Sequence, residues 1–546
     1  MVGAGAAPVL SACRAPGPDE APCTEGTPAD LAATALAPEF STANWYCVRR
    51  NGIAQQRGWT DEQDPVRIAA STEAGRGDVV EVCVAGAPRE VSPSRFSRSF
   101  YNRARGLVGI ELEYHGVRAR HAPTQMIANN LSFDRARQRF LAQHGITRSD
   151  FDGNGRLWRF PARQFLVEVG GDVEELVRGS TMVPASPPVG EDRPAALADG
   201  LGTWMLANLA ADGGLPYKYW PSRGEDSPAD NAIRRFLATI SLARLGEARA
   251  STTVRDAARR NLRYNLNRYF QPLGDGRGVV VESTGAKLGA AALAALAILE
   301  SPARAEFATE FGMLAKGVDS MFDARHGFRT FFFPASRDGQ NWNFYSGEAL
   351  LFCAEALRRR SASAPPLDKC MKAFEACRDR HREQRNPAFV PWHTQACTAL
   401  YAVARERRLA DWVFEMNDWL LPMQQWDGID DDVRGRFYDP NRRHFGPPHA
   451  SSTAVYCEGL GDAAALAREV GDRARTASYE RAVERGMRSL RQLQFRDERD
   501  AFYVSRRERV MGALRTTVYD NAVRVDSAGH ALAAALKVSH PIRFGG

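Results

Sequence analysis

Twelve helical segments of two alternating kinds fill the chain from residue 193 to residue 538. Six are rich in small residues and apolar on almost every side; they cover 231–246, 287–300, 347–359, 393–406, 452–469 and 526–538. The other six are amphipathic and more charged; they cover 193–210, 251–270, 303–322, 366–384, 409–425 and 474–494. A helix that is apolar all round is buried, whereas an amphipathic helix covers a core with one face. The alternation therefore predicts six inner helices, each covered by an outer helix.

The inner helices begin about 45 to 75 residues apart, which is the spacing of a repeated helical hairpin. Six such hairpins close into an (α/α)6 toroid when each inner helix packs between two inner neighbours and an outer partner. Alanine and glycine let the inner helices approach closely. We therefore expect a mainly α protein in which residues 193–546 form an (α/α)6 toroid.

Two stretches at inner-helix starts, NFYSGEALL (343–351) and YDNAVRVDSAGHALAAAL (519–536), carry a resemblance to known proteins. With the hairpin repeat, they make residues 193–546 similar to the six-hairpin toroid superfamily. That superfamily includes N-acylglucosamine 2-epimerase-like enzymes, unsaturated glucuronyl hydrolases and other glycosidases. The resemblance implies an enzyme that acts on carbohydrate, but it includes no catalytic signature of a single member.

The first 190 residues differ in character from the helical repeat. Residues 1–40 are rich in Ala, Pro and Gly and are expected to be disordered or loosely attached. Residues 41–190 are expected to form a small α+β module of unassigned role, joined to the repeat by a linker at 182–194. Its predicted elements are strands within 78–86, 106–120 and 164–179 and a helix over 132–145.

The inner-helix starts are expected to meet at one rim of the ring, because every inner helix of an up-down ring begins at the same end. Helix caps alone would need only Ser, Thr, Asp or Asn there. The sequence instead supplies aromatic, amide and charged side chains, which suit stacking on sugar rings and bonding to hydroxyl groups. The predicted substrate-binding residues are Tyr217, Lys218, Tyr219, Trp220, Arg223, Lys287, Trp342, Asn343, Tyr345, Trp392, Gln395 and Arg524. The cations among them, together with the helix N-termini, favour an anionic sugar or oligosaccharide.

Five residues at the same starts are candidates for acid/base catalysis: Glu348, His393, His449, Asp520 and Asp526. A carboxylate pair would suit cleavage of a glycosidic bond. The two histidines would suit proton transfer beside a carbonyl group, as in a sugar epimerase or isomerase. Tyr219 or Tyr345 would serve β-elimination of a uronide. The number of carboxylates favours a hydrolase or lyase.

Most of these candidates also have a purely structural interpretation. Glu348 and Asp526 would serve as helix caps, His393 as a core histidine, and Trp342 and Trp392 as plugs of the ring. A non-catalytic binding or scaffold protein therefore remains an alternative. Another is a peptide-modifying toroid, but its zinc would need Cys and His ligands at the rim, whereas Cys397 and Cys457 lie inside helices. We predict no metal and no cofactor, because neither a zinc motif nor a glycine-rich phosphate loop is present.

The remaining expectations concern the acidic loop, partners and location. The loop at 424–440 is expected to cover the mouth, with Asp430–Asp432 a solvated run or a calcium-binding turn. The net charge of +7 comes from dispersed arginines, which does not indicate nucleic-acid binding, and no apolar run is long enough for a membrane span. Nine cysteines without a CxxC pair and the absence of a clear signal peptide favour a cytoplasmic location, with a periplasmic one open if a leader was removed.

Overall fold

The computed structural model describes residues 43–544, so the segment predicted to be disordered, residues 1–40, lies outside the described part. An antiparallel sheet dominates the N-terminal module. Its strands are β1 Asn44–Arg50, β2 Ile53–Thr60, β3 Val79–Ala85, β4 Arg89–Glu90, β5 Val108–Tyr114, β6 Val117–His121, β7 Arg156–Glu168 and β8 Val173–Leu176. The main order is β2-β1-β3-β7-β5-β6, and β4 and β8 also pair with β7. The long strand β7 therefore holds the sheet together, since it pairs with β5 along its first half and with β3 along its second.

Five short helices complete the module: α1 Pro65–Ala70, α2 Phe96–Ser99, α3 Pro123–Ala128, α4 Phe133–His144 and α5 Arg148–Asn154. The helix predicted over 132–145 corresponds to α4. Ser132 caps its first turn, and Gly145 ends it in the left-handed conformation. The first strand pair was not predicted, because the exposed and intermediate residues of β2 give no alternating pattern.

A closed ring of helices follows the module. The inner helices are α7 Ala232–Ala248, α9 Leu288–Glu300, α11 Trp342–Arg358, α13 Val390–Ala404, α15 Ala450–Glu469 and α17 Val525–Ser539. The outer helices are α6 Arg193–Ala207, α8 Thr252–Tyr269, α10 Ala308–Asp319, α12 Leu367–Glu383, α14 Arg407–Leu420 and α16 Arg473–Leu493. Each inner helix packs against the next, and α17 packs against α7, so the ring closes. The predicted (α/α)6 toroid is thereby confirmed.

The first outer helix, α6, packs on the last inner helix, α17. Each of the other outer helices packs on the inner helix that precedes it in the chain: α8 on α7, α10 on α9, α12 on α11, α14 on α13 and α16 on α15. Helix α9 shows why the inner helices are buried: residues 288–299 are all buried and are small or apolar. Helices α11 and α13 begin earlier than predicted. Pro391 fits the first turn of α13. Trp342 and Trp392 therefore lie inside the first helical turns instead of in the preceding loops, and His393, predicted as the first residue of its helix, lies about one turn inside it.

Small sheets join the loops that enter the inner helices. Their strands are β9 Lys218–Trp220, β10 Glu225–Asp226, β11 Phe270–Pro272, β12 Gly278–Glu282, β13 Gly285–Lys287, β14 Phe322–Asp323, β15 Gly327–Phe328, β16 Phe331–Phe333, β17 Arg515–Thr517 and β18 Asp520–Arg524. Strand β9 pairs with β18, so the chain before α7 is fixed to the chain before α17. This pairing brings residues of the first and last inner-helix starts together.

Buried Arg178 ties the module to the ring. Its guanidinium donates to the carbonyl oxygens of Arg103 (2.8 Å) and Arg105 (3.1 Å) and forms an ion pair with Asp432. Asp432, which the sequence places in a solvated acidic run, is only 3% exposed. Asp430 also lies 3.4 Å from the Arg178 guanidinium. The acidic loop is therefore neutralised by arginine and is partly buried at the interface with the module.

The seven cysteines of the described part, residues 43–544, are all buried and none forms a disulfide; Cys13 and Cys23 lie outside it. Such burial is typical of free cysteines that pack as small core residues. Over the same residues, no helix combines the length and the apolar character needed to span a membrane.

Candidate active site

A cavity of about 340 Å³ lies where the inner helices begin. Five of the six inner-helix starts contribute to its wall, namely those of α7, α11, α13, α15 and α17. The N-terminal module and the loop at 424–440 also contribute, with Arg105 and Asn130 from the module and Tyr438 and Asp439 from the loop. The predicted convergence of inner-helix starts is thus present, and the module adds a wall that the sequence did not reveal.

Asp526 is the most strongly charge-paired carboxylate in the cavity. Arg524 donates to both of its oxygens, at 3.0 and 2.6 Å, and the Arg234 Nε lies 3.1 Å from Oδ2. Burial by itself would raise the pKa of Asp526, but the two guanidinium groups outweigh it and hold that pKa well below its usual range. Asp526 is therefore an ionised anchor for two arginines, and its engaged oxygens suit it poorly to act as a base.

Glu348 has the opposite environment. Its side chain is 2% exposed, and Oε2 is buried with no hydrogen-bond partner among the described residues. Gly289 on α9 makes room for it, since a Cβ there would overlap Oε2. Burial raises the pKa of Glu348 to about 8, and Lys287 opposes the shift only in part. Glu348 therefore holds a proton at neutral pH and can donate it to a molecule in the cavity.

His449 caps helix α15 and also lines the cavity. Its Nδ1 accepts the backbone N–H of Ser452 at 3.1 Å, so the neutral ring carries its proton on Nε2. Burial, followed by the positive charge of Arg524, lowers the pKa of His449 to about 3. The imidazole is thus a neutral hydrogen-bond donor at the cavity wall.

His530, which the sequence analysis did not select, lies one turn inside α17 and lines the cavity. Its Nδ1 is 2.9 Å from Oε2 of Glu458, a buried carboxylate on α15. Burial would raise the pKa of Glu458, but the bond to His530 and the nearby Lys537 hold it at about 2. An ionised Glu458 accepts a hydrogen bond from His530 Nδ1–H, and in that tautomer the second ring nitrogen, Nε2, carries a lone pair.

Asp520 is held by the module. Asn130 donates to its Oδ1 at 2.9 Å, and Arg105 in turn donates to the Asn130 side-chain oxygen at 2.7 Å. Arg105 also donates to the carbonyl oxygen of Tyr519. This chain of bonds crosses from the module to the loop before α17, so the module fixes both a carboxylate and a cation in the cavity wall.

His393 lies behind the cavity wall, contrary to the expectation from its position at a helix start. It is completely buried, its ring stacks on Phe389 with centroids 3.5 Å apart, and Nε2 is 3.0 Å from the Ser346 hydroxyl oxygen. Burial lowers its pKa well below the usual range. These contacts are those of a neutral core histidine.

Of the predicted substrate-binding residues, Tyr345, Trp392 and Arg524 line the cavity. The structure places the other nine outside its wall: Tyr217, Lys218, Tyr219, Trp220, Arg223, Lys287, Trp342, Asn343 and Gln395. Several of them are engaged elsewhere. Trp220 lies under Lys218 and Arg223, and Trp342 donates its indole N–H to the His326 carbonyl oxygen at 3.0 Å. Lys287 bonds to Glu282 at 2.5 Å.

No metal centre is evident in the part of the chain from residue 43 to residue 544, where no three His, Cys, Asp or Glu side chains are grouped as metal ligands. The acidic loop is instead bound by arginines, since Asp431 pairs with Arg434 at 2.9 Å and Asp432 with Arg178.

Comparisons with known proteins give similarity in solved structures only. No protein-family model matches the sequence, and a search of curated proteins gives no match. An alpha-1,6-mannanase, GH76A, from Salegentibacter sp. HEL1_6 is 10% identical, with a TM-score of 0.45 over 64% of this chain and 99% of the mannanase. An unsaturated glucuronyl hydrolase specific for heparin is 11% identical, with a TM-score of 0.45 over 64% and 98%.

A D-mannose isomerase is 12% identical, with a TM-score of 0.48 over 65% of this chain and all of the isomerase. Identities this low concern the fold alone. The helix packing itself shows a six-hairpin (α/α)6 toroid, since helices α6 to α17 form a ring closed by the contact of α17 with α7. Five of its six inner-helix starts line one cavity.

Proposed function

We propose that the protein is a carbohydrate-active enzyme that removes a proton from a carbon beside a carbonyl or carboxyl group of an acidic sugar. The observation that carries the proposal is the pairing of His530, which lines the cavity, with ionised Glu458 through Nδ1, because the second ring nitrogen then serves as the base. A lyase and an epimerase or isomerase share this first step. They differ in where the proton returns.

Two groups are placed to donate a proton or a hydrogen bond to the same substrate. Glu348 is protonated at neutral pH and would protonate a leaving oxygen or a developing alkoxide. The His449 Nε2–H would bond to the carbonyl or carboxyl oxygen and stabilise the negative charge that forms after proton removal.

A sugar suits the cavity in size and lining. About 340 Å³ is at the small end of ligand pockets and accommodates one or two sugar rings. The rings of Trp392, Tyr345 and Tyr438 offer stacking surfaces, and Asn130 and Ser451 offer hydrogen-bonding groups. The wall holds more cations than anions when Glu348 is protonated, which favours an anionic substrate. The cations are Arg105, Arg135, Arg234, Arg442 and Arg524, and the ionised carboxylates are Asp439, Asp520 and Asp526.

Glycoside hydrolysis is the second candidate, and the raised pKa of Glu348 favours it. A hydrolase needs one protonated and one ionised carboxyl group on either side of the bond. Glu348 would be the acid and Asp520, fixed by Asn130, would be the base or nucleophile. Asp526 is less suited to that role because Arg524 and Arg234 occupy its oxygens.

Turnover in deuterium oxide distinguishes the two functions. The protein would be incubated with uronic-acid oligosaccharides, free uronic acids and neutral aldoses, and the products analysed by NMR and mass spectrometry. We expect deuterium bound to carbon in an isomerised or epimerised product, or a carbon–carbon double bond in an eliminated one. Hydrolysis without carbon-bound deuterium would support the second candidate and reject the first. A lack of any change with all three substrate classes would reject both.

The pH dependence of the reaction is expected to report Glu348. Because the proton donor must be protonated, kcat is expected to fall as the pH rises through about 8, the pKa to which burial raises this group. The raised pKa also means that the folded state holds the proton more tightly than the unfolded chain. The contribution of Glu348 to stability is therefore complete below about 4.5 and lost as the pH rises through about 8.

The Glu348→Gln variant tests this expectation. It should lose most of the activity. The remaining kcat should no longer fall as the pH rises through about 8, and the melting temperature should no longer drop over the same range. Glu383→Gln, at the exposed end of α12, is the matched control and should retain the wild-type profile. An alkaline limb that persists unchanged in Glu348→Gln would assign it to another group.

A further inference from the structure

Buried charged residues continue from His530 along the inside of the ring, away from the cavity. Inner helices begin at the cavity, so positions further along each helix lie deeper in the ring. Asp462 follows Glu458 by about one turn of α15, and Lys537 follows His530 by about two turns of α17. Both are part of a hydrogen-bonded cluster that the proposed reaction does not use directly.

Lys537 bridges the acidic members of this cluster. Its Nζ donates to Asp462 Oδ2 at 2.6 Å and to Gln395 Oε1 at 2.7 Å, and it lies 3.9 Å from Glu458 Oε1. Asp462, Glu458 and Gln395 are all buried. An ammonium group in such a site acts strongly on its neighbours, because little water is present to screen it.

Arg244 closes the other side of the cluster. It donates two hydrogen bonds to Glu300, at 2.8 and 3.0 Å, and a third to Glu458 Oε1 at 3.2 Å. The cluster thus holds three carboxylates, Glu300, Glu458 and Asp462, against the two cations Arg244 and Lys537. Glu355, Arg358 and Arg359 also act electrostatically on members of this cluster, so the charge felt at Glu458 depends on individual pairs such as Asp462 with Lys537.

We infer that Asp462 and Lys537 are positioning residues that set the charge around Glu458 and thereby the readiness of His530 to accept a proton. The inference rests on the proposed function for its meaning in catalysis, since His530 is the base of that proposal. The pairing of Asp462 with Lys537 has a specific consequence. If Asp462 becomes neutral, the positive charge of Lys537 is no longer offset, and protonated His530 is disfavoured.

Charged and aromatic groups from three inner helices lie near His530. Those nearest to it are Glu458 and His449 from α15 and its N-terminus, Asp526 on α17, and Trp392 from α13, whose ring centroid is 5.6 Å away. Asp526 is neutralised by Arg524 and Arg234, and burial keeps His449 neutral. Asp462 and Lys537, like Arg244 and Glu300, lie outside the cavity wall, so their removal changes the charge near Glu458 without altering that wall.

Asp462→Asn is expected to make His530 harder to protonate, because the positive charge of Lys537 is then no longer offset at this buried site. The measurement is an NMR titration of the full chain with labelled histidine, in which the His530 resonance is identified by its loss in His530→Gln. The double variant Asp462→Asn/Lys537→Met removes both charges and should return the pKa close to the wild-type value. Asp462→Glu keeps the charge and should also preserve it.

The matched control is Asp411→Asn, which removes an exposed carboxylate paired with Arg407 on α14 and should leave His530 unchanged. Asp462→Ser carries the same expectation as Asp462→Asn if the asparagine variant does not fold. An unchanged His530 pKa in the neutral variants, or a double variant shifted as far as the single one, would overturn the inference. The titration needs no turnover, so a protein that shows the shifts but acts on no sugar would reject the proposed function and retain this inference.

Discussion

Replacing His530 with glutamine is expected to lower kcat by about 10²- to 10⁴-fold, the usual contribution of a general base. Glutamine keeps a polar side chain of similar length, but it cannot accept a proton from carbon at neutral pH. Binding should change little, because the aromatic and arginine groups of the cavity remain in place. Steady-state kinetics on the substrate found in the deuterium oxide experiment would separate kcat from KM.

His540→Gln is the control for this substitution. His540 is exposed just beyond the end of α17, so its loss should leave kcat and KM at wild-type values. Glu458→Gln should also lower kcat, because the amide cannot hold the His530 Nδ1–H as strongly. Wild-type activity in His530→Gln would remove the proposed base and return the carboxylates Glu348 and Asp520 to the leading role.

Loss of the Arg178 guanidinium is expected to produce the largest effect on stability. In Arg178→Met the Asp432 carboxylate stays buried at the interface between the module and the ring without its principal partner. Breaking a buried ion pair from one side costs about 3–5 kcal/mol. The expected result is a lower midpoint of urea unfolding, with the module-side transition affected first if the two parts unfold separately.

Arg163→Met is the matched control, because Arg163 forms an exposed pair with Glu175 on the module surface. It should leave the midpoint unchanged, since exposed ion pairs contribute little to stability. The double variant Arg178→Met/Asp432→Leu should recover much of the loss, because neither charge is then buried alone. Equal destabilisation by the single and double variants would show that Arg178 acts through its carbonyl contacts instead of its ion pair.

The inner helices were predictable to within a few residues where their sequence is apolar on every side. Helix α9 shows this best, because its predicted and observed bounds differ by one residue. The start of α11 was not predictable from periodicity, since the polar residues around Asn341 and Asn343 are typical of a loop. The pairing of β9 with β18 joins positions about 300 residues apart, and no local pattern encodes such a contact.

The candidate site was predictable only where it coincides with helix starts. Glu348, His449 and Asp526 were found for that reason. His530 and Glu458 were missed because each lies inside a helix that otherwise belongs to the core. A signal was nevertheless present, since a histidine and a glutamate in all-round apolar helices must find polar partners when buried. The contribution of Arg105 and Asn130 depends on how the module docks, which the sequence of either part alone does not specify.

The closure of the ring by α17 also bears on how the protein matures. This helix carries Arg524, Asp526 and His530 at or near its start and seals the ring against α7 and α6. Because the chain emerges from the ribosome in order, the first five hairpins can pack while the gap at the sixth stays open. A nascent chain therefore lacks Arg524, Asp526 and the proposed base His530 at the cavity until its final helix docks, so the candidate site is incomplete in every truncated translation product.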